Sequence, residues 1–168
     1  VGHHLIKKVE IEIGGQLIDT QFGDWLEIWA QLTVPAGQER GYRQMIGQDP
    51  LDILGRPTGL QRDIYDTAII PGREIYVPLQ FWFCRDVGLS LPLISLQYHE
   101  VKINMEFRSS DFLIRSTTNS TSIKTPNLTN STLWVDYIYL DTDERRRFAQ
   151  VSHEYLIDQL QYSTELST

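Results

Sequence analysis

The chain has 168 residues, 15 Lys and Arg against 22 Asp and Glu, a formal net charge of −7, 41% hydrophobic residues and a single cysteine. That length predicts one domain with a core large enough to fold unaided. A lone Cys84 excludes an internal disulfide framework and reads as a buried small hydrophobe in a reducing compartment. The acidic balance argues against work on nucleic-acid phosphate, which needs clustered Lys and Arg. No apolar run reaches the roughly 20 residues of a membrane span, and no basic-then-apolar leader opens the chain.

Val1 rather than Met stands first, inside strand-like sequence, so a piece of a longer polypeptide is expected. From Leu5 to Ile13 the residues alternate, with Leu5, Val9, Ile11 and Ile13 on one face and Lys8, Glu10 and Glu12 on the other, the period of a half-buried strand. Gly14-Gly15 then turns the chain into a returning strand, Gln16 to Thr20, because both glycines can take positive φ.

Asp24-Trp25-Leu26-Glu27 has the form of a capping box. Trp25, Ile28, Trp29 and Leu32 follow at helical spacing, and the helix is expected to end before Pro35. Each Trp can bury ~150–250 Å², roughly 4–6 kcal/mol at ~25 cal/mol per Å² as an upper bound, so this stripe is expected to plug a sheet core.

Between Pro35 and Gly72 lie four of the seven prolines and six of the eleven glycines, a density that breaks helix and strand periodicity alike. A long surface excursion is predicted. Tyr42, Met45, Ile46, Leu51, Ile53, Leu54 and Leu60 make it too apolar for plain disorder, so it is expected to face a partner.

Glu74 to Phe83 reads as a strand whose Pro78 favours an edge and whose aromatic end belongs to the core. After an apolar connector, Val101, Ile103, Met105 and Phe107 alternate with polar residues as a further strand. Ser116 to Thr132 is Ser-, Thr- and Asn-rich, an exposed loop. Leu133 to Leu140 returns to strand chemistry, Thr142-Asp143-Glu144 caps a short helix, and Glu154 to Tyr162 is read as a last strand.

Little here carries chemistry. His3, His4, His99 and His153 stand in no metal-ligand spacing, and adjacent His3 and His4 on a strand would point to opposite faces. Gly88-Leu89-Ser90-Leu91-Pro92 has proline where a nucleophile elbow needs its second glycine, and no phosphate-cradling loop follows Gly47 or Gly55. Arg145, Arg146 and Arg147 are balanced by Asp141, Asp143 and Glu144, which suggests an interface or salt-bridge cluster rather than a basic patch. Asn119, Asn127 and Asn130 head N-x-Ser/Thr triplets that would suit glycan attachment in a secretory lumen, although such a loop also produces them by chance.

Four segments in order carry a resemblance. Val9-Glu10-Ile11-Glu12-Ile13-Gly14-Gly15 with Gly23-Asp24-Trp25-Leu26-Glu27-Ile28-Trp29 resembles the N-terminal jelly roll of the major capsid proteins of nucleocytoplasmic large DNA viruses, such as iridoviruses and phycodnaviruses. The run from Leu91 to Val101 and the run from Val135 to Phe148 look like the same family's signatures.

The resemblance implies an all-β antiparallel jelly-roll sandwich with short helices in its connections, the first of two jelly rolls. Residues 1–150 would form that domain without its first strand or strands, and 151–168 would lead into the second. It further implies a homotrimer forming pseudo-hexameric capsomers of an icosahedral virion, assembled in the host cytoplasm beside neighbouring capsomers and minor capsid proteins, with no cofactor and no catalytic residue. Subunit contacts are then expected at Tyr42, Met45, Ile46, Leu51, Ile53, Leu54 and Arg145 to Arg147, with the Ser116–Thr132 loop facing solvent. The alternative is a jelly-roll module that binds carbohydrate, host glycan or receptor. A cupin-type metalloenzyme would need a His and carboxylate cluster that the chain does not display.

Overall fold

A computed structural model describes residues 2–48, 61–62, 68–69, 73–113 and 127–163. Gly2–Leu5 forms one helical turn, α1, followed by β1 (Ile6–Ile13), β2 (Gln16–Phe22), α2 (Gly23–Thr33) and α3 (Glu39–Met45). Two short strands, β3 (Gln61–Arg62) and β4 (Ala68–Ile69), pair antiparallel; then come α4 (Trp82–Arg85), β5 (Val101–Phe107) and α5 (Thr142–Gln150).

The organising sheet has the order β2-β1-β5, antiparallel throughout. The Gly-Gly turn is as expected, with Gly14 at φ +60° and Gly15 at +79°, and Gly14 N–H donates to Glu100 O at 2.9 Å. One correction concerns β1. The ladder to β5 shifts register between Ile6 and Lys8, and this bulge turns Ile6 to the same face as Val9 and Ile11. Ile6 therefore enters the core, while Leu5 belongs to α1. His3 and His4 likewise stand on that helical turn rather than on a strand.

The core joins Ile6, Val9 and Ile11 of β1 to Leu26, Phe81 and Trp82, with Val101, Ile103 and Phe107 of β5 packed against them. Leu26 is the correction for α2. The helix buries Gly23, Leu26 and Ala30, while Ile28 and Leu32 are exposed and the two tryptophans lie half-buried. Nor does a capping box form: the N-cap is Phe22, without a side-chain cap. Asp24 is engaged instead by the Arg108 guanidinium at 3.3 Å.

What determines the helix's buried face is its start. A Cβ on Gly23 would lie 2.1 Å from His3 O and 2.4 Å from Ile6 O, so only glycine lets α2 begin against the α1–β1 junction. That approach turns Leu26 and Ala30 inward.

The excursion after Pro35 is more regular than expected, since it contains α3 and the β3–β4 pair. The strand expected over 74–83 does not form. Residues 73–81 form no ladder among the described residues, since Pro78 has no donor and Gln80 O accepts from the Gln21 and Arg85 side chains at 2.9 and 3.1 Å. The aromatic end is core as expected, with Phe81 and Trp82 buried. Cys84 is exposed, contrary to its sequence reading, because α4 rotates it outward while Trp82 turns in.

Residues 133–140, expected as a strand, form no ladder among the described residues, and nearly all of them are exposed. Residues 154–162 also form no ladder among the described residues. Their alternation is real, with Tyr155 and Ile157 turned inward, and side chains do the tethering: Asp19 accepts from Leu160 N–H at 3.0 Å, and Gln159 donates to Ile18 O at 2.5 Å. The last helix is capped by Asp141, one residue before the expected group, through bonds from the Asp143 and Glu144 N–H groups at 3.1 and 2.9 Å.

Gly23→Ala is expected to lower the thermal unfolding midpoint severely or abolish folding, because the obstructing atoms are backbone. Gly37→Ala, where a Cβ meets nothing within 4 Å, should leave that midpoint nearly unchanged. Equal midpoints for the two variants, measured by circular dichroism, would contradict this account of how α2 is seated.

Candidate functional site

The densest polar constellation among the described residues lies where α1, α2 and α3 meet. His3 is 3% exposed, with Nδ1 2.6 Å from Glu27 Oε2 and Nε2 2.9 Å from the Tyr42 hydroxyl. Engagement of both nitrogens fixes the imidazole and leaves it no lone pair for other chemistry. The His3 hydrogen bond holds the Glu27 carboxyl below its ordinary range, with help from Gln31, while burial pushes the Tyr42 phenol up.

Beside this network a cleft of about 250 Å³ is lined by His4, Gly23, Asp24 and Gln48 as well as His3 and Glu27. Its charged groups are already committed. Arg108 donates to His4 Nδ1 at 3.3 Å and pairs with Asp24, and His4 Nε2 lies 3.1 Å from Phe112 O. Among the described residues no group of three His, Cys, Asp or Glu side chains could hold a metal ion. The arrangement is a fastening: it ties α3 to the sheet end through a buried imidazole.

The expected subunit contacts fall in different places. Tyr42 and Met45 are half-buried on α3, and the Tyr42 hydroxyl is taken by His3. Ile46 is 2% exposed, and its carbonyl accepts from Gly2 N–H at 2.7 Å, so it secures α3 within the chain instead of facing a neighbour. Leu51, Ile53, Leu54 and Asn119 lie outside the described residues. Asn127 and Asn130 are exposed, as are Arg145, Arg146 and Arg147 on α5, where among the described residues only Arg146 has an ion-pair partner, Asp143 at 3.8 Å.

Two apolar surfaces escaped the sequence reading. One is the outward face of α2, where Leu32 is 76% exposed and Arg85 sits 4.1 Å over the Trp29 ring. The other is 133–140, with Trp134 and Tyr139 at 80% and 91%. A signal for the first was present: Trp25, Leu26, Ile28, Trp29, Ala30 and Leu32 wrap more than one face of a helix. No helix among the described residues is long and apolar enough to cross a membrane.

Because the native fold depresses the Glu27 pKa, the charge-dependent contribution of the network is complete above the ordinary carboxylate value and is lost as pH falls through the folded-state value. Glu27→Gln should therefore lower the unfolding midpoint at neutral pH, with the gap to the parent closing on acidification. A gap that stays constant from neutral to acidic pH would show that the pair contributes nothing through charge.

Comparison with known proteins places this geometry. The family model described as the major capsid protein N-terminus matches residues 1–141. The chain is 51% identical over 166 residues to the major capsid protein of Pyramimonas orientalis virus, covering 99% of this chain and 38% of that protein. With the major capsid protein of Paramecium bursaria Chlorella virus 1 it shares 39% over 159 residues, covering 95% of this chain and 33% of the relative. The chain thus spans well under half the length of these relatives. Among solved structures it is similar to PBCV-1 VP54, as fitted into a reconstruction of the virophage Sputnik, and to a chain of the PBCV-1 virus capsid quasi-atomic model. Each match has a TM-score of 0.66 and 35% identity, over 95% of this chain and 35% of the other. The antiparallel sheet with short connecting helices is accordingly that of the capsid jelly roll. By a family match that runs from residue 1 to residue 141, the chain belongs to the major capsid protein N-terminus family of large DNA viruses.

Proposed function

We propose that this chain is the N-terminal jelly roll of a major capsid protein that trimerises into pseudo-hexameric capsomers and builds the outer shell of a large icosahedral DNA virus. The observation that carries this is the structural match to PBCV-1 capsid protein across 95% of the chain at 35% identity. The work is then mechanical rather than catalytic, and its residues are those at the surfaces between subunits. In this reading residues 1–150 belong to one jelly roll and 151–168 lead toward a second.

The sheet itself supports that division. Among the described residues it has three principal strands with β2 and β5 at its edges, and 133–140 forms no ladder there, so the sandwich has places for further strands. Residues 154–162 are attached by side chains to the β2 edge, as suits a segment that passes from one unit to the next.

Size-exclusion chromatography with light scattering on the full-length protein should give a trimer, and negative-stain images of that peak a hexagonal outline. A monomer across micromolar concentrations would overturn obligate trimerisation. Glycan binding by such a monomer would favour a receptor-binding module instead.

A further inference from the structure

We infer that residues 154–162 are a strap that lifts from the β2 edge as a unit while the β2-β1-β5 sheet stays closed, and that Arg85 carries the strap's seating to α2. This goes beyond the capsid reading, because it concerns contacts within one chain and not the association of copies.

The strap lies along β2 without joining it. Gln159 meets Ile18, Leu160 meets Asp19, and the Tyr162 ring meets that of Phe22 edge-on at 4.6 Å, so the two segments run in the same direction. A parallel neighbour on a strand edge ordinarily exchanges backbone N–H and C=O groups with it. Here a side chain stands in each rung. The Leu160 amide goes to the Asp19 carboxylate, the Ile18 carbonyl takes the Gln159 side-chain amide, and 154–162 makes no backbone-to-backbone hydrogen bond among the described residues.

What holds the strap otherwise is slight. Ile157 is its one residue packed against the core cluster among the described residues, while Leu156 and Tyr162 are 92% and 57% exposed. The Asp158 side chain, paired with Arg85, is 81% exposed, and an ion pair so open to water contributes little. Two orphaned atoms lower the cost of opening further. Gln21 Oε1 and Arg85 Nε are buried without a hydrogen-bond partner, and the side chains that carry them converge on one acceptor, Gln80 O. Unpaired buried polar atoms destabilise the closed arrangement, and lifting the strap gives them access to water. Opening β1 would instead break two full ladders.

Arg85 is the link to α2. Its guanidinium holds Asp158 of the strap at 3.2 Å, the Gln80 carbonyl at 3.1 Å and the face of the Trp29 ring at 4.1 Å. With the strap seated, Asp158 helps to fix the cation over the indole; with the strap lifted, that constraint goes and Trp29 changes its surroundings. The coupling is reciprocal, so a contact at Trp29 that draws Arg85 aside also favours the lifted strap.

The test is amide hydrogen exchange read by mass spectrometry on the full-length protein. After correction for intrinsic rates, the amides of 155–162 should exchange about 100-fold or more faster than those of Val9 to Ile11 in β1. Gln159→Ala should hasten exchange of the strap about threefold or more and leave β1 unchanged. Asp158→Asn should shift the tryptophan emission maximum, and the shift should vanish in a Trp29→Phe background. Strap amides as protected as those of β1, or a Gln159→Ala variant that speeds both alike, would overturn the strap, since the segment would then open only with the sheet. An Asp158→Asn variant whose emission matches the parent, or whose shift survives Trp29→Phe, would overturn the Arg85 link. Both readouts report on the chain in whatever oligomer it forms, so a monomer in light scattering would overturn the trimer reading and leave the strap standing.

Discussion

Every long ladder among the described residues runs through β1. It pairs with β2 on one edge and β5 on the other, and its Val9 and Ile11 are fully buried, so a single strand supplies both the sheet's centre and, with Ile6, half the buried residues of the core cluster. The other elements are arranged by what β1 permits. Its bulge near Lys7 puts Ile6 beside Val9, α1 turns the chain immediately before it, and the absence of a side chain at Gly23 lets α2 lie against that junction. With α2 seated, His3 reaches Glu27 and Tyr42, and α3 is held.

Much of this was legible in the sequence because its cause is local. The Gly14-Gly15 hairpin, the alternation of β1 and β5 and the existence of α2 and α5 all follow from turn chemistry and side-chain period. What was not legible depends on distant partners. Period alone favoured the Trp25, Ile28, Trp29 and Leu32 stripe as the inward face. The backbone oxygens of His3 and Ile6, packed where Gly23 has no side chain, chose the Leu26 face instead. Residues 73–81 have strand composition, yet Gln21 and Arg85 side chains occupy the Gln80 carbonyl that a ladder would use.

The site was legible in a narrower sense. The arginine triplet, expected as an interface or salt-bridge cluster, stands exposed on α5, while composition did not tell which apolar residues remain outside. Ile46 illustrates why. It is as apolar as Leu32, and contacts across the fold, the Gly2 N–H to Ile46 O and Tyr76 N–H to Met45 O bonds among them, hold it inside. A helix with apolar residues on more than one face has a choice of what to bury, and the part it leaves outside is the part available to another molecule.

The Asp19 clamp bears on how such a chain is made. Its carboxylate is 3% exposed and accepts the Leu160 amide, a contact that spans 141 residues of sequence, whereas the β1–β2 hairpin on which Asp19 stands is closed by neighbours. During synthesis at ~5–20 residues per second the hairpin can form roughly 7–28 s before Leu160 leaves the ribosome. For that interval the outer edge of β2 has no covering segment, and the acid that later anchors the covering segment stands on it as a charge. The residue that completes the folded sheet is thus also the one that discourages a stray strand from adding to it while the chain is unfinished.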